Sequence, residues 1–218
     1  MKPTRRLVAP LAALVLLPLS CAVAPVASPL AAVSAPLPAV SAPPPAASAA
    51  PVVEQPKADD PAVAGVLAHL RRYQARTGLT DKEIELLART VVVEARRHRF
   101  DPALVLAVIH VESRYDTYAV SPKDALGLMQ LLPSTGAWLA PSAGVEWRGP
   151  QTLFDPIANV RLGVAYLRQL TDRYGSVRTA LVAYNWGPGR IDAFVAAGSP
   201  LPSEYSQLVL AAYGRRSS

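Results

Sequence analysis

The sequence predicts a single all-α domain behind an N-terminal signal and a Pro/Ala-rich tether. Three observations lead there. From about Asp60 onward apolar residues recur at helical spacing, Thr, Asp and Ser stand where those stripes begin, and no useful stretch alternates apolar with polar residues.

The chain opens with Lys2, Arg5 and Arg6, followed by the apolar run Leu7 to Leu19 interrupted by Pro10 and Pro18. That run is shorter than the roughly 20 residues a spanning helix needs, so residues 1–21 read as an export signal. The only cysteine, Cys21, closes it. "PLSC" (Pro18 to Cys21) resembles the lipid-attachment box of bacterial lipoproteins. Ser20 is suitably small, whereas Leu19 stands one place nearer the cysteine than the usual leucine. Two outcomes stay open: lipidation at Cys21, or ordinary cleavage nearby. Lipidation is preferred, because a lone cysteine here has no disulfide partner to explain it.

Residues 22–59 are dominated by Ala, Pro, Val and Ser, and no charge occurs between Arg6 and Glu54. Repeated proline removes backbone donors and favours extended geometry, which makes this stretch a tether. Its Ala and Val content inflates the 51 % hydrophobic fraction, which therefore does not imply a membrane protein.

The domain is expected over residues 60–218. Val63, Val66, Leu67 and Leu70 form a first helical stripe. Thr80 to Glu83 reads as a capping box, with Ile84, Leu87, Ala88 and Val91 behind it. Val91, Val92 and Val93 are β-branched, but the cap and charged ends favour helix. Asp101-Pro102 and Asp155-Pro156 each start a helix, with Asp as cap and Pro in the first turn. Ile157, Val160, Val164 and Leu167 follow the second of these. Ser176 caps a helix bearing Val177, Ala180, Leu181 and Tyr184, and "GPG" (Gly187 to Gly189) breaks the chain. A last helix carries Tyr205, Leu208, Val209 and Ala212.

The formal net charge of +6 falls to +3 once Lys2, Arg5 and Arg6 leave with the signal, because 22 basic residues less these three face 16 acidic ones. Mild basicity in an exported protein suits an anionic cell-surface polymer. The one dense basic cluster, Arg96 to Arg99, fits a helix C-terminus complementing the macrodipole, and nothing argues for nucleic acid. His69, His98 and His110 form no zinc-binding pattern, so no metal is expected. No serine-nucleophile elbow, phosphate loop or dinucleotide fingerprint occurs, so no cofactor is expected either.

What remains is Glu112, at the end of the apolar segment "LVLAVIHVE". Desolvation and the negative end of the helix dipole both disfavour its ionised form. A carboxylic acid still protonated near neutral pH is what a general acid at a glycosidic oxygen must be. Position alone would favour an ordinary surface glutamate near a helix end.

The neighbouring sequence tips this choice. "ESRYDTYAVSPKDALGLMQLLPST" (Glu112 to Thr135) resembles the signature of the soluble lytic murein transglycosylase family, whose fold is lysozyme-like. The resemblance continues through Phe154 to Leu167, Ala180 to Ile191 and Leu201 to Tyr213. It implies a lytic transglycosylase that cleaves the β-1,4 bond between N-acetylmuramic acid and N-acetylglucosamine in peptidoglycan. Glu112 would be the single acid/base, leaving a 1,6-anhydro end. Ser121 and Gln130 would contact sugar, Met129 would line the cleft, Tyr184 would hydrogen-bond the carboxyl, and Asn185 would lie beside it. For Tyr184, an ordinary core tyrosine bonded to backbone is the alternative. Two departures stand out: Asp124 replaces the family's usual glycine, and Asp116-Thr117 its Asn-Pro. Asp124 tolerates a left-handed backbone better than most residues. Asp116, Asp124 and Asp155 are the nearest candidates for a second carboxylate. Asp155 is better explained as a cap, the others as loop charges. Tyr115, Tyr118, Trp138, Trp147 and Trp186 include candidate sugar platforms, none individually assigned.

The expected protein is thus an exported monomer acting on peptidoglycan glycan strands, periplasmic and tethered to the outer membrane through Cys21. The alternative within the same fold is a hydrolase resembling goose-type lysozyme.

Overall fold

The computed structural model describes residues 60–217; the expected signal, Cys21 and the tether lie outside them. Helix α1 spans Pro61–Arg71, α2 Gln74–Thr77, α3 Asp81–Arg97, α4 Pro102–Glu112 and α5 Pro133–Ala143. After a 3-10 turn at Pro150–Phe154 come α6 (Pro156–Tyr174), α7 (Val177–Trp186), α8 (Pro188–Ala196) and α9 (Glu204–Ser217). No strand occurs among the described residues, in keeping with the all-α expectation.

The expected caps form. Thr80 Oγ1 accepts from the Glu83 amide at 3.4 Å, while Glu83 Oε2 accepts from the Thr80 amide at 2.8 Å. Asp101, Asp155 and Ser176 each accept from the first turn of their helix. These contacts satisfy amides that have no partner inside the helix. Three helices lack an apolar stripe in the sequence reading. The four-residue α2 is short. α5 begins at Pro133 and ends at left-handed Gly144, and α8 begins at Pro188 directly behind the break at Gly187.

Apolar on every side, α4 is the core element: Leu104 to Ile109 are all buried. It packs chiefly on α9, while α3 bridges α1 and α6, and α6 carries α5 and α7. Tyr205 meets the last residue of α4, and Tyr213 donates to Asp101 just before its first. The two helices therefore run antiparallel. Tyr205, Val209 and Ala212 face inward as expected, but Leu208 turns outward at 43 % exposure.

One charge lies within the bundle. Glu94 on α3 is 1 % exposed and is met by Arg97 at 3.1 Å and by Arg161 of α6 at 3.3 Å. Burial raises its pKa and the two arginines oppose that rise. The Glu94–Arg161 contact ties α3 to α6.

Candidate active site

Glu112 closes α4, and its side chain is half-buried. Its carboxyl is pushed up to about 7, first by burial, with the Tyr205 hydroxyl pulling the other way. That hydroxyl donates to Glu112 Oε1 at 2.5 Å. The sign follows from the physics: a low-polarity setting penalises the anion, and a donor to the anion favours it. No carboxylate is among the groups that set this shift.

Beyond Glu112 the chain makes an unusual loop. Arg114 and Tyr115 both take the left-handed conformation, at φ 52° and 69°, as do Asp124 at 60°, Gly127 at 76° and Gln130 at 48°. For side chains other than glycine such backbone is held only by its surroundings. Tyr115 is held by complete burial: its ring stacks on Tyr73 with centroids 4.2 Å apart, and its hydroxyl donates to the Leu106 carbonyl. The left-handed Asp124 agrees with a place where the family carries glycine. Isolated bridges from Leu126 to Val120 and Leu131 close the loop.

The loop is pinned from beneath by Asn159 of α6, to which the sequence reading assigned no role. Its Oδ1 accepts from the Met129 amide at 2.8 Å, and its Nδ2 donates to the carbonyls of Leu126 and Leu153 at 3.0 and 2.8 Å. Asn159 is fully buried, so its side chain satisfies three backbone groups that water cannot reach. Gly127 must be glycine, since a Cβ there would stand 2.2 Å from the Leu153 carbonyl and 2.4 Å from Asn159 Nδ2.

The expected site residues fare differently. Ser121 Oγ is half-buried and accepts from the amides of Lys123 and Ala125, which shapes the turn. Gln130, 8 % exposed, gives its amide hydrogens to the carbonyls of Ala119 and Gly127. Met129 does not line the cleft: it is fully buried, with its side chain against Gly163, because small Gly163 leaves space for the thioether. Tyr184 does not bond the carboxyl. Its hydroxyl donates to the Met129 carbonyl at 2.9 Å, and its pKa is raised first by burial and then by the nearby Glu112 charge. The tyrosine on Glu112 is Tyr205 instead, delivered by the antiparallel packing of α9 on α4. A signal for it existed, a tyrosine on an apolar face whose hydroxyl needs a partner, but Tyr184 gives the same signal. Asn185 is nearly buried beside Tyr184 in α7. Asp155 caps α6, and Asp116 accepts from the Tyr118 amide. Among the aromatic candidates Tyr115 is core, Tyr118 is 65 % exposed, and Trp186 is half-buried under Arg190.

An all-α domain with one proton-retaining carboxyl at the end of its central helix, facing a tightly turned loop, is of the lysozyme-like class. Within that class the chain belongs to the transglycosylase SLT domain family, which matches residues 90–199. It is 37 % identical over 115 residues to the transglycosylase of Enterobacteria phage PRD1, covering 47 % of this chain and 40 % of that protein. It is 40 % identical over 108 residues to membrane-bound lytic murein transglycosylase C of Cronobacter sakazakii, covering 44 % and 30 %. Among solved structures it resembles an inactive mutant of lytic transglycosylase Slt from Pseudomonas aeruginosa. The TM-score is 0.52 at 30 % identity, with 58 % of this chain and 24 % of that one covered. The chain thus spans less than half the length of these relatives.

Proposed function

We propose that this chain is a peptidoglycan lytic transglycosylase that cleaves the β-1,4 bond between N-acetylmuramic acid and N-acetylglucosamine without water. Glu112 serves as its single acid/base. The observation that carries this reading is a partly exposed carboxyl held at about 7 by burial, with a tyrosine hydroxyl on it, inside a family of transglycosylase domains.

At neutral pH about half of the Glu112 side chains carry a proton while substrate can still reach them. The proton passes to the glycosidic oxygen as the bond to C1 of the muramyl sugar breaks, and that sugar's N-acetyl group supports the oxocarbenium-like charge. The new carboxylate is stabilised by the Tyr205 hydroxyl until it takes the proton of the sugar's own 6-hydroxyl. The 6-oxygen then bonds C1, which closes a 1,6-anhydro ring and restores the acid. One carboxyl suffices because the sugar's own N-acetyl group and 6-hydroxyl take the place of the second carboxylate and the water that ordinary glycosidases use. Ser121, Gln130 and Asn185 are proposed to flank the bound sugar. Met129 and Tyr184 contribute from beneath, through the carbonyl and hydroxyl that hold the loop against α7.

The proposal extends to location. The sequence of the first 59 residues supports export, lipid attachment at Cys21 and a tether that lets an anchored enzyme reach the wall. Among the described residues no helix is long and apolar enough to cross a membrane. Fatty-acid labelling that is lost in Cys21→Ala is the expected result.

Mass spectrometry of digested peptidoglycan tests the reaction. Products with anhydro ends, one water lighter than reducing ends, are expected. Reducing ends alone would identify a hydrolase of the goose-lysozyme kind.

A further inference from the structure

On the side of α4 turned away from Glu112 runs a concavity of about 610 Å³, bounded by α1, α4 and the end of α9. Leu106 and His110 line it, and at about 100° per residue Glu112 lies some 120–160° around the helix from them. Small side chains, Ala62, Gly65, Ala68, Ala103 and Ala212, line it together with Val66 and Leu106, and Gly65 and Ala68 are exposed. A Cβ added at Gly65 would meet nothing within 4 Å. The lining runs from Ala62 along α1 to Arg72 and Tyr73 just past its end, about 16 Å, the length of roughly five extended residues.

The charges at its ends are unbalanced. Arg72 stands near the upper end and Arg215 at the lower, both exposed, and among the described residues neither takes part in an ion pair. The one acidic side chain on the wall, Asp101, accepts from the Ala103 amide and the Tyr213 hydroxyl and keeps its charge, so two guanidinium groups stand against one carboxylate. His69 and Tyr73 add aromatic surface at the upper end, against the buried Tyr115.

We propose that this groove binds an extended acidic peptide segment of a partner protein. An open groove lined largely by small residues admits a peptide backbone, and two separated guanidinium groups select carboxylates near its ends. The position favours a partner over the substrate: a segment lying here leaves the Glu112 side open to glycan. The groove also depends on α1, which precedes the family match at residue 90.

The test is amide chemical-shift mapping on the full chain with acetyl-Glu-Ala-Ala-Ala-Glu-amide and its Gln-for-Glu counterpart. The acidic peptide is expected to shift Gly65, Ala68 and Ala103, and the Gln peptide to leave them still. Arg72→Glu combined with Arg215→Glu should weaken binding about tenfold or more. Gly65→Leu, which fills the groove, should abolish it independently of charge. Wall-lytic activity should be unchanged in both variants, so failure here is distinguishable from failure of the enzymatic reading. Equal binding of the two peptides, shifts elsewhere or nowhere, or unaltered affinity in both variants would overturn the proposal. So would tighter binding of peptides released from peptidoglycan by an amidase, which would make the site a substrate contact.

Discussion

Replacing Glu112 by Gln should abolish wall lysis and at the same time stabilise the fold, but only at the pH where the native acid is ionised. The carboxyl is raised from 4.5 to about 7 in the folded chain. At about 1.4 kcal/mol per unit, ionising it in place costs some 3 kcal/mol more than in the unfolded chain. This is an upper figure, since solvent reaches part of the side chain. A raised carboxyl supports the fold fully below about 4.5 and loses that support as pH rises through about 7. Gln matches the neutral acid in shape, still accepts the Tyr205 hydroxyl and does not titrate. The variant should therefore equal wild type in urea unfolding near pH 4 and exceed it by up to about 3 kcal/mol near pH 8. A stability difference of the same size at both pH values would refute the reasoning, and so would full activity in the variant.

Tyr205→Phe removes the donor that holds the carboxylate form down. The Glu112 pKa should rise by about one to two units, the worth of a hydrogen bond to a charge. The alkaline limb of kcat/KM against pH should then move upward, and a limb left in place would count against the contact. Gly127→Ala drives a Cβ into the Leu153 carbonyl and Asn159 at a left-handed position, so thermal melting should show a loss of about 3 kcal/mol or more. Asn159→Ala leaves two carbonyls and one amide unpaired in the core and should cost at least about 3 kcal/mol in denaturant unfolding. Asn159→Asp, nearly the same shape, should not rescue it, because a carboxylate cannot donate to the carbonyls of Leu126 and Leu153.

Much of this architecture is local and therefore legible in the chain. Thr80, Asp101, Asp155 and Ser176 announce their helices through side-chain contacts that span two or three residues. Val63, Ile84 and Val160 announce the faces that are buried. Glu112 stands out because a single acid closes an apolar run. The parts that stayed hidden are set by packing between distant segments. Tyr184 and Tyr205 look alike in sequence, and only the register of α9 on α4 decides which hydroxyl reaches Glu112. Met129 resembles a cleft residue until α6 brings Gly163 beneath it. Asn159 reads as one polar residue in a helix, while its three partners lie six to thirty-three residues away. The helix α5 has no apolar stripe to betray it and contains Pro141.

Carbon-13 NMR titration of the Glu112 carboxyl, assigned by its disappearance in Glu112→Gln, reaches the centre of the account directly. A midpoint near 7 is the expected result, moving upward in Tyr205→Phe. A midpoint near 4.5, the value of an ordinary solvated glutamate, would contradict it.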